Sequence, residues 1–267
     1  MLLASLLNDA FMGKGFQKIN EMVQERKMYP PQKINKQLLN QLDKLLKKEL
    51  DKNEFSNVSL LLKCIRLYCK NDPQEGVNLF LQQGLIPKMV TWFERTREFL
   101  SLIEPKESEF LVNLVEDFFH TALVISKSNS EGRKQLLDSF LPYLGHLATE
   151  RNVNLALRQE AIRTLNVLLD NVPQEEKKKF PVSEEMCLLL KEFAKIILDV
   201  GDYDIQASLL EAIFRVMLTK RRDDLVVNWF EDQHIAKAFK EIRCKDFETD
   251  SRKFLNELNE RLGDKRR

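Results

Sequence analysis

Glu160-Ala161-Ile162-Arg163-Thr164-Leu165-Asn166-Val167-Leu168-Leu169-Asp170 places Ala161, Leu165, Leu168 and Leu169 three and four residues apart, on one face of an α-helix. Its opening triplet returns 51 residues later as Glu211-Ala212-Ile213, inside a run where Ile205, Leu209, Ala212, Ile213 and Val216 repeat the spacing. Outward from this pair the same periodicity holds for Ile34, Leu38, Leu42, Leu45 and Leu46, for Ile86, Met89, Val90 and Phe93, and for Phe254, Leu255, Leu258 and Leu262. Phe80-x-x-Gln83 recurs as Phe230-x-x-Gln233, 150 residues on, which is about three such periods. Helix breakers fall between the runs: Pro30-Pro31, Pro73, Gly84, Pro105, Gly132, Pro173, Pro181 and Gly201. No stretch alternates at strand period.

These observations predict an all-α, armadillo/HEAT-like solenoid of stacked three-helix repeats at 73–126, 130–170, 173–219 and 222–262, preceded by a helix pair at 32–51 and 55–70. Such repeats cannot bury their apolar faces alone and must stack. The links are short, so residues 1–267 are expected to form a single domain with one continuous core, in which Leu165, Leu168, Ile213 and Val216 are buried. A four-helix bundle would not use so many short helices.

Composition narrows the function. The 267 residues carry 42 Lys and Arg against 41 Asp and Glu, which excludes a strongly basic nucleic-acid binder and an acidic tail. Only 8 Gly and 8 Pro stand against 43 Leu, a helix-rich balance. The four Cys have no C-x-x-C spacing and suit a reducing compartment, with Cys64, Cys69, Cys187 and Cys244 read as small buried hydrophobes. No apolar run is long enough to span a membrane. Residues 1–11 are apolar without a basic leader and read as a helix packed on the domain.

The third helix of each repeat is apolar over more than half its circumference. What remains is a polar stripe at i, i+4, i+7 and i+11: Glu109, Asn113, Glu116 and His120; then Gln159, Arg163, Asn166 and Asp170; then Ser208, Glu211 and Arg215; then Thr249, Lys253, Asn256 and Glu260. In armadillo-like stacks third helices line the concave surface. The candidate partner groove is therefore Glu116, His120, Arg163, Asn166, Glu211, Arg215, Lys253 and Asn256, the alternative being a merely solvated face. Reversing Arg163 and Arg215 is expected to weaken a partner with little change in melting temperature.

Between Lys33 and Lys70 nine basic residues face four acidic ones, and Lys44, Lys47 and Lys48 form a candidate basic patch. With almost no interleaved aromatics it suggests at most weak, salt-sensitive nucleic-acid contact. Lys220-Arg221-Arg222 and Lys265-Arg266-Arg267 match short nuclear-import signals. The three His and the carboxylate pairs have no ligand or acid–base spacing, and no phosphate loop or nucleophile elbow is present. His234 reads as a surface or capping residue. No catalytic residue, metal site or cofactor is expected. The regular Trp-x-x-x-Asn pairs of nuclear-import adaptors are missing, since Thr96 follows Trp92 and Gln233 follows Trp229.

Several segments resemble one family: Gln83-Gly84-Leu85-Ile86-Pro87-Lys88-Met89-Val90 with Trp92-Phe93-Glu94; Gly201-Asp202-Tyr203-Asp204-Ile205-Gln206; Trp229-Phe230; Ile235-Ala236-Lys237-Ala238-Phe239-Lys240; Phe247-Glu248-Thr249-Asp250; and Leu262-Gly263-Asp264-Lys265-Arg266-Arg267. Together they resemble the amino-terminal armadillo-like domain of the synaptonemal complex protein 2 family, more nearly its synaptonemal complex protein 2-like branch, collinearly over about residues 50–267. The resemblance implies a nuclear, non-enzymatic protein of meiotic chromosome axes and synaptonemal complex lateral elements, also associated with centromeres. It implies protein partners on those structures, and no small-molecule substrate or membrane. It further implies a β-rich domain downstream, then a polar region and a coiled coil. A cargo adaptor or regulatory scaffold subunit of another complex is the alternative reading.

Overall fold

Helices begin where a side chain can accept the free N–H groups of a first turn. In the computed structural model Ser108, Asn129, Ser183 and Asp202 each accept the backbone N–H three residues on, at Leu111, Gly132, Met186 and Ile205. Gly84 opens another helix at φ +87°, a left-handed conformation that a side chain would strain.

The structure describes residues 3–26, 36–103, 108–170, 172–179 and 183–263; Ile34, Lys33 and the Lys265–Arg267 run lie outside them. Among the described residues there are sixteen α-helices, one short 3-10 helix and no strand. Helices α1 (Leu3–Phe11) and α2 (Phe16–Gln24) precede the pair α3 (Lys36–Asp51) and α4 (Phe55–Asn71). Three triplets follow: α5 (Glu75–Gln82), α6 (Leu85–Leu102) and α7 (Glu109–Ser128); α8 (Ser130–Ser139), α9 (Leu141–Thr149) and α10 (Leu155–Asp170); α11 (Gln174–Lys179), α12 (Glu184–Asp199) and α13 (Tyr203–Val216). The last is α14 (Thr219–Trp229), α15 (Gln233–Lys240) and α16 (Phe247–Leu262), the 3-10 turn Cys244–Asp246 separating the final two. The predicted repeats thus hold within a few residues at each end.

The helices gather into two compact units, Met1–Leu141 with Asn152–Asn154, and Pro142–Arg151 with Leu155–Arg267. In the first unit α7 lies along α4, and α6 packs against α7 and α3. Its core centres on Phe93, whose ring meets Phe118 at 5.5 Å and Phe140 at 5.1 Å. Helix α1 packs on α3 and buries Leu3, Leu6, Leu7 and Ala10, as its apolar sequence predicts. In the second unit α13 lies between α10 and α16, with α12 against it. Gly145 of α9 lets Leu189 of α12 approach where a Cβ would lie 2.4 Å from its methyl. Leu165, Leu168, Ile213 and Val216 are buried, as predicted.

Cys64 and Cys69 are buried, and burial pushes both thiols up to about 12. Cys187 is half-buried and Cys244 exposed, against expectation. Helix α15 ends at Lys240, so Cys244 falls in the 3-10 turn and leaves the helical face that its neighbours imply. No described helix is long and apolar enough to cross a membrane.

Candidate functional site

The polar stripes divide into groups that face outward and groups spent on holding third helices together. On α7, in the first unit, Glu116 is half-buried and His120 exposed. One residue along from each, Asp117 and Thr121 turn inward and grip Arg66 of α4. Arg66 Nη2 donates to Asp117 Oδ1 at 2.9 Å, and Nη1 donates to the Asp117 carbonyl at 3.1 Å and to Thr121 Oγ1 at 3.2 Å.

In the second unit Arg163 is exposed and, among the described residues, pairs with Glu160 of its own helix, Nη1 to Oε1 2.9 Å. Asn166 does not belong to an accessible groove: it is 6% exposed, and its Nδ2 donates to the Ser208 carbonyl of α13 at 2.9 Å. Its position on the stripe faces the neighbouring helix and not solvent. Arg215 and Glu211 are also committed. Arg215 Nη1 donates to Asp170 Oδ1 of α10 at 2.6 Å, while Nε and Nη2 reach Glu211 Oε1 at 2.8 and 2.7 Å. Burial opposes the charge on Arg215, but Asp170 and Glu211 outweigh it and raise its pKa. The same hydrogen bond and charge from Arg215 hold the Asp170 carboxyl below its ordinary value. A third tie joins α13 to α16, where fully buried Gln206 and half-buried Asn259 exchange amide hydrogen bonds at 2.9 and 2.8 Å. Lys253 and Asn256 of α16 are exposed. Lys253 borders a hollow of about 220 Å³ with Arg243, Asp250 and Glu257.

The sequence did not mark Arg66, Asp117, Gln206 and Asn259 as ties between helices. Their available signal is a charged or amide side chain within an apolar run, such as Asp117 between Val115 and Phe118.

Arg163 and Arg215 are therefore not equivalent. Arg163→Glu breaks one exposed pair and leaves the melting temperature nearly unchanged. Arg215→Glu sets a third carboxylate beside two others and removes charge-assisted bonds, a loss of about 1.5–3 kcal/mol. Thermal melts of the two single variants separate them; equal, negligible shifts would show that the tie is idle. Because the folded pKa of Asp170 is depressed, its contribution is present above its unfolded pKa and fades as pH falls through the folded value.

The basic patch is weaker than its sequence suggests. Lys44 is exposed, but Lys47 pairs with Asp43 at 3.2 Å, and Lys48 bonds the Phe11 carbonyl and lies 4.3 Å over its ring. Asp43 also accepts the Trp92 indole N–H at 2.8 Å and faces Lys88 at 3.5 Å. Burial works to raise its carboxyl, and these donors and cations hold it low instead.

Lys220-Arg221-Arg222 is not an extended import signal. It lies in the first turn of α14, and Arg222 is 1% exposed, its guanidinium 3.7 Å over the Phe214 ring and bonded to the Met217 carbonyl. His234 sits at the start of α15, its N–H donating to Asp232, with Nε2 3.3 Å from Glu257. No cluster of three or more potential metal ligands occurs among the described residues. Trp229 and Phe230 are core residues packed on Phe239.

Residues 2–176 match the family described as the synaptonemal complex 2 armadillo-repeat-like domain. A Xenopus laevis protein named synaptonemal complex protein 2-like is 55% identical over 260 residues, 97% of this chain and 26% of that protein. Its Mus musculus namesake is 48% identical over 265 residues, 99% of this chain and 32% of that protein. Synaptonemal complex protein 2 of Mus musculus is 40% identical over 238 residues, 88% of this chain and 16% of that protein. A solved structure of a synaptonemal complex protein superposes with a TM-score of 0.86 at 36% identity, covering 99% of this chain and 68% of that one. This chain therefore spans a third or less of the length of these three curated relatives.

Proposed function

This chain belongs to the synaptonemal complex protein 2 family, and from that premise we propose that it is a non-enzymatic protein-interaction module of the meiotic chromosome axis and synaptonemal complex lateral element, with centromeric chromatin as a second location. The observation that carries the reading is similarity along almost the whole chain to synaptonemal complex protein 2-like relatives, 55% identity over 97% of its length. The solved neighbour supports residues 1–267 as one armadillo-like domain, since its superposition extends over 99% of the chain. A β-rich domain downstream belongs to the same proposal.

The mechanism is rigid display. Arg66–Asp117 fixes α7 to α4, and Arg215–Asp170 and Gln206–Asn259 fix neighbouring third helices, so groups beside them are presented in a set register. Each unit presents the accessible remainder of its own stripe as a partner surface: half-buried Glu116 and exposed His120 on the first, and Arg163, Lys253 and Asn256 on the second. Both charge signs with amides suit a protein segment with its own polar pattern better than a uniformly anionic duplex.

The test is proximity labelling from the tagged chain in meiotic cells. Axis and centromere proteins are expected to dominate the labelled set, and Arg163→Glu with Lys253→Glu to deplete them. Labelling confined to cytosolic complexes would overturn the reading in favour of an adaptor or scaffold.

A further inference from the structure

We infer that the end of α1 and the second half of α3 form a docking surface for an acidic peptide segment of another protein that carries an apolar anchor. The inference adds to the interaction reading and does not depend on chromosomal location: binding in vitro can fail while localisation holds, and the reverse.

Lys44, Lys47 and Lys48 lie at i, i+3 and i+4 on α3, Lys52 follows directly after its last residue, and the four line one open hollow of about 500 Å³ with Phe11 and Asp51. The acids in and beside it already have partners. Asp51 pairs with Arg95 at 3.6 Å, and Asp43 is shared among Lys47, Lys88 and the Trp92 indole. With Lys47 shared with Asp43, the surface is left with a moderate cationic excess carried by Lys44, Lys48 and Lys52. At its edge two apolar side chains stand in solvent, Phe11 at 39% and Met12 at 77% exposure. Lys48 stacks on Phe11 and anchors to its carbonyl, which fixes the apolar edge to the cationic row.

Charge complementarity selects an acidic partner, and the apolar edge decides its class. The lysine row extends only about 12 Å along the helix, whereas duplex DNA presents a charge about every 1.7 Å and gains by longer tracks of cations. A phosphate backbone makes no use of Met12. One face of Phe11, the aromatic ring that lines the hollow, is occupied by Lys48, which removes that face from base stacking. An acidic peptide with Leu or Phe among its carboxylates uses both the lysines and the apolar edge.

The test is fluorescence anisotropy of the purified full chain with a labelled peptide alternating Glu or Asp with Leu. Its controls are the same peptide with Ser for Leu, and a single-stranded oligonucleotide of equal charge. The acidic–apolar peptide is expected to bind tightest. Lys44→Glu with Lys52→Glu should weaken it by about ten-fold or more, and Met12→Ser by a smaller factor, with binding falling as salt rises. All three side chains are exposed, so melting temperatures should not move, and this is checked on each variant. The inference is overturned by absence of peptide binding, by equal affinity for the Ser peptide, by affinity that survives the charge reversal, or by tighter binding of the oligonucleotide.

Discussion

Phe239→Ala is expected to destabilise the second unit by about 3–5 kcal/mol, at the upper end for a core truncation. Phe239 is fully buried at the meeting point of four rings: Trp229 at 5.9 Å and nearly perpendicular, Phe230 at 5.4 Å, Phe254 at 5.7 Å and Phe214 at 5.4 Å. These come from α13, from the end of α14 and from α16, so one side chain joins three helices through α15. Truncation removes its transfer free energy and leaves a void that rigid rings cannot close. Each edge-to-face pair adds about 0.5–1.5 kcal/mol beyond burial. Phe239→Leu keeps most of the volume and should lose much less. Urea denaturation followed by circular dichroism measures both; a loss below about 1 kcal/mol for the Ala variant would mean that this cluster is not the centre of the core.

Asp117→Ala is expected to cost the first unit about 3–5 kcal/mol, because it strands a desolvated cation. The Arg66 and Asp117 side chains are only 14% and 9% exposed, and their ion pair is 2.9 Å long. With the carboxylate gone, Arg66 keeps its bonds to the Asp117 main-chain carbonyl and Thr121 Oγ1 but loses its counter-charge. Replacing both members, Arg66→Met with Asp117→Leu, should be close to neutral, since burying two charges offsets much of what their attraction returns. The double-mutant cycle therefore has a large coupling term. If the single and double variants lose the same stability, the pair sets neither register nor energy. A register role would show as altered partner binding in the stable double variant.

The two predictions stand at different distances from the sequence. Phe239 lies in a helical apolar run and is legible there as core. Arg66 and Asp117 are 51 positions apart, and nothing local joins them. Asn166, Glu211 and Arg215 share the spacing of Arg163, so periodicity treats them alike as one polar face. Only the neighbouring helix separates them, because Ser208 and Asp170 stand where Asn166 and Arg215 can reach and Arg163 cannot.

The sequence by itself determined that most of this protein is a series of helices in threes, the bounds of those repeats to within a few residues, and the buried face of the helices with clear apolar spacing. Those properties follow from apolar spacing, capping side chains and breakers, all within a few residues of the chain. It also carried the family, through segments such as Gly201–Gln206 whose residues match along their length. The tertiary structure alone decided what each polar group does. It turned Asn166 and Arg215 into ties, placed Arg222 of a basic run under the Phe214 ring, left Cys244 outside and folded Lys48 over Phe11. The reason is physical: burial of an apolar face is set by helix period, whereas a charge or amide is satisfied by whichever donor or acceptor distant chain brings within about 3 Å.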